Sequence, residues 1–139
     1  MINPAFNSLE VGSQLPPLVA PALSRAMLAL YAGGSGDHVP LHIDSDYARK
    51  AGMPDVFGHG MFIAAWLGRM LTGWVSQERI RKLDLRFTGI THLYNQVTCT
   101  GVVVEKLEQG GERRVRVEII ASNQYGEKKV VGEALIALD

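Results

Sequence analysis

The chain has 139 residues, enough for one domain (1–139) with little room for a second. Its 47% hydrophobic share excludes intrinsic disorder, and 14 basic residues balanced by 14 acidic ones give no net charge, so nucleic acid is not an expected partner. The single cysteine, Cys99, excludes an internal disulfide and any CxxC metal or redox pair, which suits a reducing compartment such as the cytoplasm.

Met1-Ile2-Asn3-Pro4 carries no basic cluster ahead of an apolar run, so no secretory signal is expected. Pro16-Pro17 excludes a helix, and Leu18 to Ala20 reads as a short strand. Ser24 to Ala32 reads as a helix, with Gly33-Gly34-Ser35-Gly36 ending it. Asp37 to Asp44 reads as a turn interrupted by Pro40. Ser45 is expected to cap a short helix to about Lys50, stopped by Gly52 and Pro54. His59 to Ser76 reads as a long helix, apolar on nearly every face. Between Gly60 and Val75 its only charge is Arg69, and the run is too short for a bilayer, so it reads as a core helix and not a membrane span.

Beyond it the pattern changes to alternation. Leu83, Leu85 and Phe87 fall on one side of a strand from Arg81 to Thr88, with Lys82, Asp84 and Arg86 on the other. Gln96 to Leu107, Arg113 to Ser122 and Lys128 to Leu138 read as further strands. Gln109 to Glu112 and Asn123 to Gly126 read as hairpin turns. Helices first and consecutive antiparallel strands after point to an α+β fold, one sheet folded around one buried helix.

The densest polar cluster runs from Gly36 to Asp44, and four chemistries compete for it. His38 and His42 have the spacing of helical zinc ligands, but Pro40 between them opposes a regular helix. Ser35 lacks the final glycine and the preceding strand of a nucleophile elbow. Asp37 can cap a turn and His42 can be an interior histidine, with no chemistry at all. Alternatively Asp37 and His42 divide acid and base work, their intrinsic pKa values lying about 2.6 units apart. His59-Gly60-Met61 opens the long helix, where unpaired N–H groups can meet a carbonyl oxygen and glycine lets it come close. His92 is expected in a surface loop, Cys99 in a strand as a small interior residue, and Trp66, Met70 and Trp74 on a core stripe.

Tyr31-Ala32, Ser35-Gly36-Asp37-His38-Val39-Pro40-Leu41-His42, Asp44 and Ala48 together resemble the signature of MaoC-like dehydratases and (R)-specific enoyl-CoA hydratases. His59-Gly60-Met61 resembles the family's next motif, and Leu85-Arg86-Phe87 and Thr98 to Glu105 continue the likeness. The resemblance implies a hot-dog fold and reversible hydration of trans-2-enoyl thioesters, carried on coenzyme A or acyl carrier protein. It implies Asp37 and His42 as the catalytic pair and the Gly60 N–H as the oxyanion donor. His59 groups with Gly60 at this substrate-binding end, expected to shape the helix start and not to transfer protons. No metal or redox cofactor and no membrane are expected, and a homodimer is. Three positions depart from the family pattern: Val39 stands where it has asparagine, Leu67-Gly68 where it has a small hydroxyl residue, and Tyr94-Asn95-Gln96 where it has Pro-Gly-Asp before the Thr98 strand. A hot-dog thioesterase would place a carboxylate on the long helix, and His59 to Ser76 has none. A non-catalytic partner subunit of a heterodimeric dehydratase is the remaining rival.

Overall fold

The computed structural model describes all 139 residues. Its elements are β1 (Leu18–Val19), α1 (Arg25–Ser35), α2 (Pro40–Ile43), α3 (Ser45–Lys50), α4 (Gly60–Trp74), β2 (Ile80–Phe87), β3 (Thr98–Gln109), β4 (Glu112–Ser122) and β5 (Lys128–Leu138).

Ser24 caps α1, its hydroxyl accepting the Met27 N–H at 3.2 Å. The helix does not stop at Gly33. It runs on to Ser35 and ends only where Gly36 turns left-handed (φ 78°) and donates its N–H to the Ala32 carbonyl. Glycine tolerates helical angles, so the stop falls where the left-handed cap forms. Pro40 likewise does not prevent helix. It sits at the first position of α2, where its missing N–H would have had no acceptor and its fixed φ suits the turn. The cap of α3 is Asp44, not Ser45: the Asp44 carboxylate accepts the Tyr47 N–H at 3.1 Å. Ser45 instead donates to Asp55 at 2.6 Å. Asp55 also pairs with Arg25 of α1 and Arg49 of α3. These bonds hold its carboxyl far below the usual carboxylate range and tie α1 and α3 to one point.

The five strands form one antiparallel sheet in the order β1-β3-β4-β5-β2. Alternation along β4 sends Val115, Val117, Ile119 and Ala121 inward, and β5 adds Val130, Ala134 and Ile136. They enclose Ile63, Leu67, Met70 and Leu71 of α4 in one continuous core. The helix is not covered all round, however. Met61, Ala65, Arg69 and Gly73 recur every fourth residue and stay exposed along one stripe. Trp66, Met70 and Trp74 are core residues, as their spacing predicts. Cys99 is fully buried in β3, and desolvation pushes its thiol up to about 12. No helix is long and apolar enough to cross a membrane.

Candidate active site

The segment after α1 folds back on itself through short hydrogen bonds. The Asp37 N–H donates to Ser35 Oγ at 3.1 Å, and Asp37 Oδ1 accepts the Val39 N–H at 3.3 Å. This second bond is an Asx turn between the Asp37 carboxylate and a backbone N–H, so it asks nothing of the side chain at 39 and closes with valine where the family pattern has asparagine. His38 leaves the cluster. It is exposed, with Nδ1 3.1 Å from the Gly36 carbonyl. Gly68 lies eight residues along α4 from Gly60, about 12 Å at 1.5 Å per residue. It lines a groove with Arg69, Thr72 and Leu83, away from the Asp37 turn.

The single turn of α2 carries His42 to the Phe57 carbonyl, 2.7 Å from its Nδ1. A carbonyl only accepts, so Nδ1 holds the proton and Nε2 presents a lone pair. His59 has the opposite tautomer. Its Nε2 lies 3.1 Å from the Asp37 carbonyl and donates to it, while its Nδ1 is buried with no partner. Burial holds the His59 pKa below its ordinary value, which keeps the ring neutral. The two imidazoles stack, centroids 4.0 Å apart and planes 26° apart, and Tyr31 of α1 packs edge-on against His59 at 4.6 Å. Elements far apart in the chain thus converge: side-chain donor atoms of Asp37, His42 and His59 all lie within 4.8 Å of one another.

A metal does not suit this set. A ligating imidazole points its lone pair at the ion within the ring plane, and nearly parallel stacked rings cannot aim two lone pairs at one point between them.

Gly60 is the first residue of α4, immediately after His59. Its N–H has no acceptor within the helix, and His59 offers no side-chain cap. The Phe87 ring from β2 lies over it so closely that a Cβ added at Gly60 would sit 3.0 Å from Phe87 Cδ1. The site is open. None of the five surface cavities is lined by Asp37, His42, His59 or Gly60, and the largest, about 680 Å³, lies elsewhere among Arg86, Thr88, Glu118 and Lys128. Sequence reasoning had no means of finding the Phe57 carbonyl, because a backbone acceptor leaves no residue signature. His92, expected at the surface, is half-buried and bridges by its backbone to Phe57.

The model of the MaoC like domain matches residues 10–124, which include the whole of this site. The chain belongs to the MaoC-like domain family. It is 36% identical over 96 residues to an (R)-specific enoyl-CoA hydratase of Rhodospirillum rubrum, a match covering 63% of this chain and 65% of that one. It is 34% identical over 112 residues to the fatty acid synthase beta subunit TOXC of Cochliobolus carbonum, covering 76% of this chain and 5% of that subunit. The chain thus spans only a small part of that subunit's length. Among solved structures, the unliganded R-hydratase PhaJ1 of Pseudomonas aeruginosa superposes with a TM-score of 0.85 at 28% identity, covering 99% of this chain and 87% of that one. The MaoC-like chain therefore has the hot-dog fold, a curled antiparallel sheet around a long helix.

Proposed function

We propose that this MaoC-like chain, acting as a single domain over 1–139, reversibly hydrates trans-2-enoyl thioesters to (R)-3-hydroxyacyl thioesters. The observation that carries this reading is the His42 tautomer. With Nδ1–H held by the Phe57 carbonyl, Nε2 is the ring nitrogen left to accept a proton, in a side chain that clusters with Asp37 and His59. A water held between Asp37 and His42 adds its oxygen to C3 of the enoyl group. One member of the pair takes the water's proton, and a proton returns to C2. The Gly60 N–H, at the positive end of α4, holds the thioester oxygen as it gains enolate charge. His59 belongs to this end as a positioning residue: it grips the Asp37 backbone and backs the His42 ring. The thioester supplies the acidity at C2, so the scheme invokes no metal or redox cofactor.

The substrate is an acyl thioester of coenzyme A or acyl carrier protein, the setting is the cytoplasm, and the working form is a homodimer. Nucleic acid and membrane have no part in the scheme. The relatives named as R-hydratases support the reaction class. The absence of any Asp or Glu from α4 weighs against thioester hydrolysis of the kind that uses a helix carboxylate.

The test is loss of enoyl absorbance when the purified chain meets crotonyl-CoA. Asp37→Asn and His42→Ala are each expected to lower kcat by roughly 10²-fold or more, with the circular dichroism spectrum unchanged. Near-normal hydration by either variant overturns the assigned pair. A chelator is expected to leave the activity as it was.

A further inference from the structure

Asp55 stands in the loop between α3 and α4, two residues before the carbonyl that holds His42. Its side chain is 17% exposed, and donors occupy both carboxylate oxygens. Oδ1 accepts the Ser45 hydroxyl at 2.6 Å and the Val56 N–H at 2.8 Å. Oδ2 accepts Arg25 Nη2 at 2.6 Å and Arg49 Nη2 at 2.9 Å. An ionised carboxylate has about four lone-pair positions, so these donors leave none for a ligand or a metal. The group can only fix what surrounds it.

What surrounds it is the bond that sets the His42 tautomer. α2, which carries His42, is four residues long, with no buried side chain and no side-chain cap, so packing does little to place it. Ser45 begins α3 three residues after His42. Asp55 therefore grips the donor side of the His42–Phe57 bond through Ser45 and the acceptor side through Val56, the residue before Phe57. The segment is pinned beyond Phe57 as well. The Gly58 N–H donates to the Thr91 carbonyl at 2.8 Å, and a Cβ at Gly58 would sit 3.2 Å from Leu23 Cδ2. The Phe57 ring stands edge-on to His42, centroids 5.0 Å apart. With its carbonyl group tethered between these two anchors, Phe57 meets Nδ1 at 2.7 Å.

We propose that Asp55 is a positioning residue of the reaction: its carboxylate holds the Phe57 carbonyl against His42 Nδ1 and so keeps the proton off Nε2. This rests on His42 as a member of the catalytic pair in the proposed function. A neutral imidazole freed of its partner populates both tautomers, and the form with Nε2–H has no lone pair on that nitrogen to accept a proton. With every lone pair taken, Asp55 has no part of its own in the proton transfer and acts through His42.

Nitrogen NMR of the imidazole rings at about pH 8, where an ordinary histidine is neutral, reads the tautomer without substrate. His42→Ala assigns the His42 signals. In the parent, His42 is expected to carry its proton on Nδ1. In Asp55→Ala the two His42 nitrogen signals are expected to move toward each other as the tautomers mix. Its kcat for crotonyl-CoA is expected to fall about tenfold or more, with KM changing less than about threefold. Arg25 and Arg49 are 52% and 55% exposed and return to water when the carboxylate goes, so the variant keeps a route to the native fold. Arg116→Ala is the control for general loosening, since it removes ion pairs to Glu105 at 2.7 Å and Glu133 at 2.9 Å on the sheet. It is expected to match the parent in tautomer and in kcat. If Asp55→Ala does not fold, Ser45→Ala decides the matter. It removes one donor and is expected to shift the tautomer the same way, with kcat about threefold lower. A His42 that keeps its Nδ1 proton in the folded variant overturns the proposal. So does a mixed tautomer with the parent's kcat, or an Arg116→Ala that behaves as Asp55→Ala does. A parent chain that hydrates no enoyl thioester overturns instead the reaction assigned to the site, and the tautomer, read without substrate, still decides whether Asp55 holds His42.

Discussion

Buried polar atoms in folded proteins nearly always have partners, and His59 Nδ1 does not. The ring is held for what its other side does, donating to the Asp37 carbonyl and lying flat against His42. Desolvation leads the causes that lower its pKa, and the neighbouring His42 adds to it. The folded value therefore lies below the ordinary 6.5, and the unfolded chain takes up the proton first as pH falls. Stability from this residue is complete above about pH 6.5 and is lost as pH drops below that value. The melting temperature is thus expected to fall between pH 7.5 and pH 5. In His59→Phe the fall shrinks, while stability at pH 7.5 drops by about 1–2 kcal/mol because the Asp37 carbonyl loses its donor. An equal acid fall in both proteins would remove His59 as the source. Cys99 gives a simpler test. With its thiol buried and pushed up to about 12, it is expected to ignore a thiol reagent at pH 8 until the protein is unfolded. Rapid reaction in the native state would contradict that burial. The spacing of Asp37 and His42 was legible in the sequence because side chains carried it. The carbonyls that choose each histidine's tautomer were not, since any residue supplies one.

At the scale of elements, the strands were legible from alternation, while the short helices around the site were misjudged at their ends. Residue type alone predicts a stop at Gly33, a break at Pro40 and a cap at Ser45. Each residue type has that tendency, and each was overruled by a neighbour: Gly36 turns left-handed, the first position of α2 needs no N–H, and Asp44 reaches the Tyr47 N–H better placed than Ser45, which Asp55 engages. The β2–β5 pair shows a constraint that alternation does not reveal. Gly132 stands opposite Leu85, and a Cβ there would lie 1.9 Å from the Asp84 carbonyl oxygen. That neighbour is backbone and has no flexible end to yield. Gly132→Ala is expected to push β2 away from β5 and destabilise the fold by about 2–3 kcal/mol, read from the midpoint of urea unfolding. An unchanged midpoint would mean that the two strands have slack the close approach denies.

The whole molecule presents its chemistry on an open shelf. Asp37, His42 and His59 stand together, with Gly60 next in the chain, yet no cavity of the single chain is lined by them, so an acyl chain placed there would keep much of its surface in water. The fold could be read from helices followed by strands and from the family resemblance. The openness could not, because neither alternation nor motif spacing tells which surfaces of β2 and α4 are left uncovered. Burying apolar area contributes about 25 cal/mol per Å², so substrate binding and dimer formation should strengthen each other if the second copy supplies the missing wall. Specific hydration activity is therefore expected to fall on dilution in step with dissociation of the dimer, measured by stopped-flow on the same samples that are sized. A non-hydrolysed acyl thioester analogue should shift that dissociation to lower protein concentration, by linkage. Activity that stays flat across dissociation would show that one chain completes its own site, and the partner's wall would then have no part in the reaction.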